Sequence, residues 1–177
     1  MPYTTPAAFI AKFGLEEAAQ LLADEQNLLT AQLLTDAIAV QGTGYWTGQP
    51  CEAEMLAANA ALARLERQIV TTSNMMDGYL RSAVSLPLAP ADANAGTLED
   101  CCLALVRCGL ADDSDNATER SDECCKQWRT WLKDVARGLV QLVGAGGLPV
   151  AANTHSGARF GQAATSVNWA QFGGVQR

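Results

Sequence analysis

The chain has 177 residues, of which 49% are hydrophobic and 18% are charged, and its formal net charge is −7 at pH 7. This composition excludes an intrinsically disordered chain, and the acidic balance argues against general nucleic-acid binding. Abundant Ala, Leu, Glu and Gln favour a mainly α-helical fold. We identify no apolar run of the ~20 residues that a membrane span requires and no signal peptide. We therefore expect synthesis in the cytoplasm and no membrane partner.

Helix signals begin close to the N-terminus. Thr5 is placed to cap a helix and Pro6 to occupy its first position, so we expect a helix that continues through Phe13 and ends at Gly14. Two further helices are expected over residues 15–23 and 28–40.

The next stretch, residues 41–50, is a glycine-rich loop. It lacks the preceding strand, the third glycine and the Lys-Ser/Thr pair of nucleotide-binding loops. Its aromatic residues, Tyr45 and Trp46, are expected either to cap the end of the helix that follows or to contact a partner.

The longest predicted helix runs from about Glu52 to about Val84. Glu54 accompanies Glu52 in the first turn, where the helix dipole favours negative charge, and Pro87 and Pro90 should stop the helix. Its inward positions recur at spacings of three and four. They are Leu62, Leu65, Ile69, Ser73, Met76 and Leu80. Other helices must cover this stripe.

Two more helices are predicted before the tail. Thr97 should cap one that continues to about Leu110, and the other should run from about Ala117 to Val143. The expected inward residues of this last helix are Trp128, Trp131, Leu132, Val135, Leu139 and Leu142. The acidic loop between the two helices lacks the central Gly and closing Glu of an EF-hand calcium loop. Short connections favour an antiparallel helical bundle built on the one long helix.

Six cysteines invite a chemical interpretation: Cys51, Cys101, Cys102, Cys108, Cys124 and Cys125. A zinc site usually takes cysteines two residues apart, but here the pairs are adjacent. A catalytic cysteine would require a histidine, and the single one, His155, lies in a Gly/Ala-rich stretch. We favour small buried hydrophobic side chains. A disulfide between helices, a metal site and catalysis are the alternatives.

The C-terminal stretch differs from the rest of the chain in glycine content and in charge. All 19 acidic residues precede residue 135, so we divide the chain into a helical body, 1–143, and an extended glycine-rich arm, 144–177. The glycines oppose a stable helix, yet the arm keeps aromatic residues that typically bind a partner. Its candidate partner-binding residues are Arg159, Phe160, Trp169, Phe172 and Arg177. An arm that folds back on the body, or a flexible end, is the alternative.

The last predicted helix carries a basic stripe at spacings of three and four, formed by Lys126, Arg129, Lys133 and Arg137. The stripe could read DNA, contact a neighbouring copy, or simply face solvent. An enzyme would require converging catalytic groups or a cofactor loop. We find neither, and we expect no enzyme and no cofactor.

Three stretches together resemble a family of head-completion proteins, the neck adaptors or connectors of Mu-like tailed phages. The first is the opening, residues 1–14, followed by Glu16 and Glu17. The second is a motif of Asp77, Tyr79 and Leu80 that precedes Leu86, Pro87 and Leu88. The third is the long last helix followed by a glycine-rich arm with a late Arg-Phe. The chain departs from the family pattern in three places: an enlarged stretch at residues 33–60, Ala83-Val84-Ser85 where the family has an Arg-Tyr before Leu86, and its many cysteines.

The resemblance implies a structural virion protein, made in the host cytoplasm, that forms a homo-oligomeric ring at the head–tail neck. A dodecamer is the expected form. The arm would dock on the portal protein, and the opposite side would receive the next neck or tail-completion protein. The ring would line a channel through which DNA passes without sequence-specific binding. The alternatives are a tail-completion or stopper-type neck protein and a small helical DNA-binding regulator.

Overall fold

A computed structural model describes residues 2–23, 26–43, 45–88, 96–111, 119–144, 147 and 149–150. Within these ranges the chain is mainly helical, as expected, with six α-helices and no β-strand. They are α1 (Pro6–Phe13), α2 (Leu15–Leu21), α3 (Ala31–Thr43), α4 (Glu52–Leu80), α5 (Thr97–Leu110) and α6 (Glu119–Ala136). None of these described helices is long and apolar enough to cross a membrane.

The ends of α1 are the predicted ones. The Thr5 hydroxyl accepts a hydrogen bond from the Ala8 amide at 3.2 Å, and Pro6 opens the helix. Gly14 ends it with a φ of +89°, a conformation that side chains with a Cβ disfavour, and its amide donates to the Ile10 carbonyl at 2.8 Å. These contacts are local, which is why the sequence suffices to place them.

The long helix α4 buries the predicted stripe in full: all six inward residues named above are buried. The helix ends at Leu80 and not near Val84. The hydroxyl of Ser82 lies 2.9 Å from the Tyr79 carbonyl, a side-chain contact that competes with further helical hydrogen bonds. The chain therefore leaves the helix well before Pro87.

The core surrounds α4, which packs against α1, α3, α5 and α6. Phe9 of α1, Leu65 and Met76 of α4, and Leu132 of α6 are each 0% exposed. Burial of each such side chain contributes about 1.5–3 kcal/mol of hydrophobic free energy. A smaller buried cluster joins α3 to the first half of α4; it consists of Leu33, Ala37, Ala58 and Leu62.

The predicted N-terminal ends of α5 and α3 are wrong. Thr97 is the first residue of α5, and the N-cap is Gly96, which offers no side-chain oxygen. The third helix begins at Ala31 because Thr30 caps it, with its hydroxyl 3.2 Å from the Leu33 amide.

The last helix, α6, is shorter than predicted. It ends at Ala136, and Gly138 follows with a φ of +73°. The Gly138 amide donates to the Val135 carbonyl at 2.9 Å, and the Leu139 amide donates to the Asp134 carbonyl at 2.9 Å. This pair of bonds is a Schellman motif, which satisfies the last carbonyls and turns the chain away. Leu139 was predicted to face inward but is 73% exposed.

Candidate functional site

The family-motif residues gather where the end of α4 meets the N-terminus. The phenol of Tyr3 donates a hydrogen bond to the Asp77 carboxylate at 2.5 Å, and the Tyr3 amide donates to the Ser73 hydroxyl at 3.2 Å. Tyr3 is only 3% exposed. Residues at opposite ends of a 70-residue stretch are thereby joined, and we refer to Tyr3, Ser73 and Asp77 as the N-terminal latch.

The rest of the motif packs the same end of α4. Leu80 is fully buried and Leu88 is buried, while Tyr79 and Leu86 are half-buried against the main core. Pro87 is exposed and follows a cis peptide bond. In this structure the motif residues therefore hold α4, the N-terminus and the turn after α4 together.

The N-terminal latch also contacts α5, through the thiol of Cys102. The Ser73 hydroxyl lies 3.8 Å from the Cys102 thiol. Burial, followed by the hydrogen bond and charge of Asp77, holds the pKa of Tyr3 above its ordinary value. Burial also raises the pKa of Cys102 to about 11 and that of Cys101 to about 12. These groups are neutral donors at physiological pH, which suits structural work better than nucleophilic chemistry.

A second polar site orders the loop before α4. Asp36 is buried, and its carboxylate accepts hydrogen bonds from the Thr47 amide at 2.9 Å, the Thr47 hydroxyl at 3.1 Å and the Gln32 amide group at 2.9 Å. The Thr47 amide is the main cause that lowers the pKa of Asp36. Trp46 packs on the smaller cluster, whereas Tyr45 is 84% exposed.

The cysteines divide into three environments. Cys108 of α5 and Cys125 of α6 form a disulfide with a Cα–Cα distance of 6.2 Å, so the favoured interpretation is wrong for this pair. Cys101 and Cys102 are buried free thiols, as expected. Cys51 and Cys124 are exposed free thiols, so the prediction that the cysteines are buried hydrophobic side chains is wrong for these two as well. Within the described ranges, no group of three or more His, Cys, Asp or Glu side chains could hold a metal ion.

Charged side chains also connect the helices. Lys12 of α1 pairs with Asp100 of α5, and Arg107 of α5 pairs with Glu17 of α2. Arg107 also lies 5.4 Å from the centre of the Phe13 ring, within the range of a cation–π contact. The predicted basic stripe lies on the surface. Lys126, Arg129 and Lys133 of α6 are exposed, and so is Arg137, which directly follows the helix.

The start of the arm returns to the body. Val143 and Pro149 form an antiparallel bridge, and the Val150 amide donates to the Leu142 carbonyl at 2.9 Å. A cavity of about 180 Å³ lies beside this turn and is lined in part by Trp131 and Leu98. The predicted arm residues lie outside the described part of the chain: Arg159, Phe160, Trp169, Phe172 and Arg177. The acidic loop between α5 and α6, which was compared above with a calcium loop, also lies outside the described part of the chain, apart from Ala111 at its start.

The two buried polar sites, the N-terminal latch and the Asp36 site, were not predicted from the sequence. Tyr3 belongs to the opening that carries the resemblance, but nothing local marks it as a buried donor. Asp36 is the one charged residue of α3, and a lone carboxylate in an otherwise uncharged helix was the available signal. Both sites hold segments of backbone in place: the Tyr3 amide donates to Ser73, and the Thr47 amide donates to Asp36.

Comparison with known proteins adds one match. A family model described as Bacteriophage Mu, Gp36 matches residues 3–160. No curated protein and no solved structure matches the chain. The matched span contains the latch, all six motif residues, and Arg159 and Phe160 of the arm. Trp169, Phe172 and Arg177 follow it.

Proposed function

Because the chain belongs to the Mu-like phage family described as Bacteriophage Mu, Gp36, we propose that it is a structural virion protein of the head–tail neck. In this proposal the helices form an antiparallel bundle around α4. Copies of the chain assemble as a ring, with twelve as the expected number, beneath the portal. The match over residues 3–160 is the observation that carries the proposal.

The arm supplies the proposed contact with the portal. The described chain ends at Val150 beside α6, and the remaining residues carry three aromatic side chains and two arginines but no acidic residue. Aromatic and arginine side chains dominate the binding energy of many protein interfaces. Phe160, Trp169 and Phe172 would fill crevices of the portal, and Arg159 and Arg177 would pair with its acidic groups.

The acidic body suits a channel for DNA. The chain carries a net charge of −7, and like charge weakens adhesion of the phosphate backbone. On α6 the exposed Asp122 and Glu123 precede the exposed Lys126, Arg129 and Lys133, so this helix presents a mixed surface and not a wholly basic one. A channel of this kind passes DNA without binding one sequence, and the next neck or tail-completion protein closes its far side.

The test is a measurement of mass for the purified chain, alone and mixed with its portal protein, by mass photometry. We expect a low-mass species alone and a stoichiometric ring on the portal. A chain that ignores the portal refutes the proposal. Binding to the next neck protein instead would indicate a tail-completion or stopper protein, and specific binding to duplex DNA would indicate a regulator.

A truncated chain provides the matched control. Deletion from Phe160 onward removes no residue of the described helices, so circular dichroism should show unchanged helix content. The same deletion should abolish portal binding. Full portal binding by the truncated chain would exclude the arm as the docking element.

A further inference from the structure

The long helix α4 has a second side that no described element covers. One row of its residues, Leu56, Ala60, Ala63, Arg67, Val70 and Asn74, is exposed throughout. Leu56 is 62% exposed and Val70 is 50% exposed. We call this row the outer face of α4.

The spacing within the outer face is that of a helix–helix contact. Its members follow one another at intervals of four and three residues, the repeat by which one helix presents a continuous seam to another. Ala60 and Ala63 are the second and third members of the row, and their small side chains allow a partner helix to approach closely there. The side of α4 that faces the core uses the same spacing, so the helix carries two seams and the described structure fills one.

The outer face is also almost free of charge. From Ala53 to Gly78 the exposed charged side chains of α4 are Arg64 and Arg67. The exposed side of α6 differs, because Asp122 and Glu123 are followed by several cations. A helix that only meets solvent usually resembles α6.

We propose that the outer face of α4 packs against a second copy of this chain. The inference rests on the proposed function, and it adds which surface of the protomer forms the contact between neighbours in the ring. A closed ring requires a head-to-tail contact, in which the outer face of α4 meets a different surface of the next copy. Leu56, at one end of the row, and Val70, next to the other end, would supply the apolar contacts.

The charge distribution favours a second copy of the chain as the partner of the outer face. Each copy carries −7, so copies repel one another except where the surface lacks acidic groups. The outer face is such a surface. Its cation, Arg67, and the exposed Arg64 beside the row are attracted to an acidic neighbour and would compensate part of the repulsion. Duplex DNA is a poor occupant, because a phosphate backbone is bound by many cations and not by alanine and leucine.

The area of the outer face fits a contact that forms within an assembly. The outer face spans 18 residue steps from Leu56 to Asn74, about 27 Å at a rise of 1.5 Å per residue, and a strip about 10 Å wide offers about 270 Å². A stable pairwise interface buries about 800 Å² on each partner. The contact should therefore be weak between two free copies, and a ring would reinforce it because each copy has two neighbours.

Sedimentation velocity of the full chain, from about 10 μM to about 1 mM, tests the inference over the concentration range of weak association. We expect association that grows with concentration in the natural chain. Leu56→Glu and Val70→Glu should each weaken it about tenfold or more, since each buries an unpaired carboxylate. Gln127→Glu adds the same charge at an exposed site on α6 and should leave association unchanged. Circular dichroism confirms that each variant is folded.

The outcomes separate this inference from the proposed function. A natural chain that stays monomeric at about 1 mM, or Glu variants that associate as it does, would overturn the outer-face contact. Portal binding is measured in parallel with the same proteins. Loss of portal binding by the natural chain with intact self-association would refute the function alone, whereas intact ring formation on the portal by Leu56→Glu would refute the inference alone.

Discussion

The N-terminal latch can be tested by removing one oxygen atom. Tyr3→Phe deletes the hydroxyl that donates to Asp77 and keeps the aromatic ring. Tyr3 is only 3% exposed, so the ring still fills its buried position. A hydrogen bond to a charged group contributes about 1.5–3 kcal/mol when buried. Asp77 is half-buried, so water can replace part of the loss, and we expect a decrease of about 1–2 kcal/mol in the free energy of unfolding.

Thermal unfolding followed by circular dichroism measures this loss. For a chain of this size, about 1–2 kcal/mol corresponds to a decrease in Tm of about 3–6 °C. The matched control is Tyr79→Phe, because Tyr79 is a half-buried tyrosine at the same end of α4 that is not part of the latch. Equal Tm values for the two variants would refute the assignment of the latch. A double-mutant cycle with Asp77→Asn then isolates the pair.

The same latch predicts a dependence of stability on alkaline pH. The phenol of the unfolded chain ionises near its ordinary pKa of about 10, whereas burial and Asp77 raise the pKa of Tyr3 in the folded chain. The stabilisation by this proton is therefore complete below pH 10 and is lost as the pH rises above it. Tyr3→Phe should show a smaller loss of stability above pH 10 than the natural chain. An identical alkaline profile would contradict the raised pKa.

Three further predictions concern the cysteines and the arm. Reductant should lower the Tm, because opening the Cys108–Cys125 disulfide releases a loop constraint of about 3 kcal/mol; an unchanged Tm would show that the bond does not form in solution. A thiol reagent at pH 8 should modify Cys51 and Cys124 rapidly and the two buried thiols only after denaturation, and four fast thiols would contradict that burial. Trp169→Ala should weaken portal binding by about 2 kcal/mol or more without changing the Tm, and unchanged affinity would exclude Trp169 from the contact.

Local patterns determined most of the helices. The Thr5 cap and Gly14 stop of α1, and the inward stripe of α4, follow from interactions between residues three or four apart, which a sequence displays directly. The family motif at Asp77 and Leu86 was visible for the same reason: its residues are neighbours along the chain. Spacing of this kind predicts which face of a helix turns inward.

Contacts between distant residues were decided only by the tertiary structure. The sequence offers several partners for each cysteine, and the packing of α5 on α6 selects Cys108 and Cys125. Leu139 continues the apolar period of α6, yet the turn at Gly138 takes it out of the core. The Tyr3–Asp77 bond spans 74 positions. The physical reason is common to these cases: helical period depends on neighbours along the chain, whereas pairing depends on which surfaces meet after the helices pack.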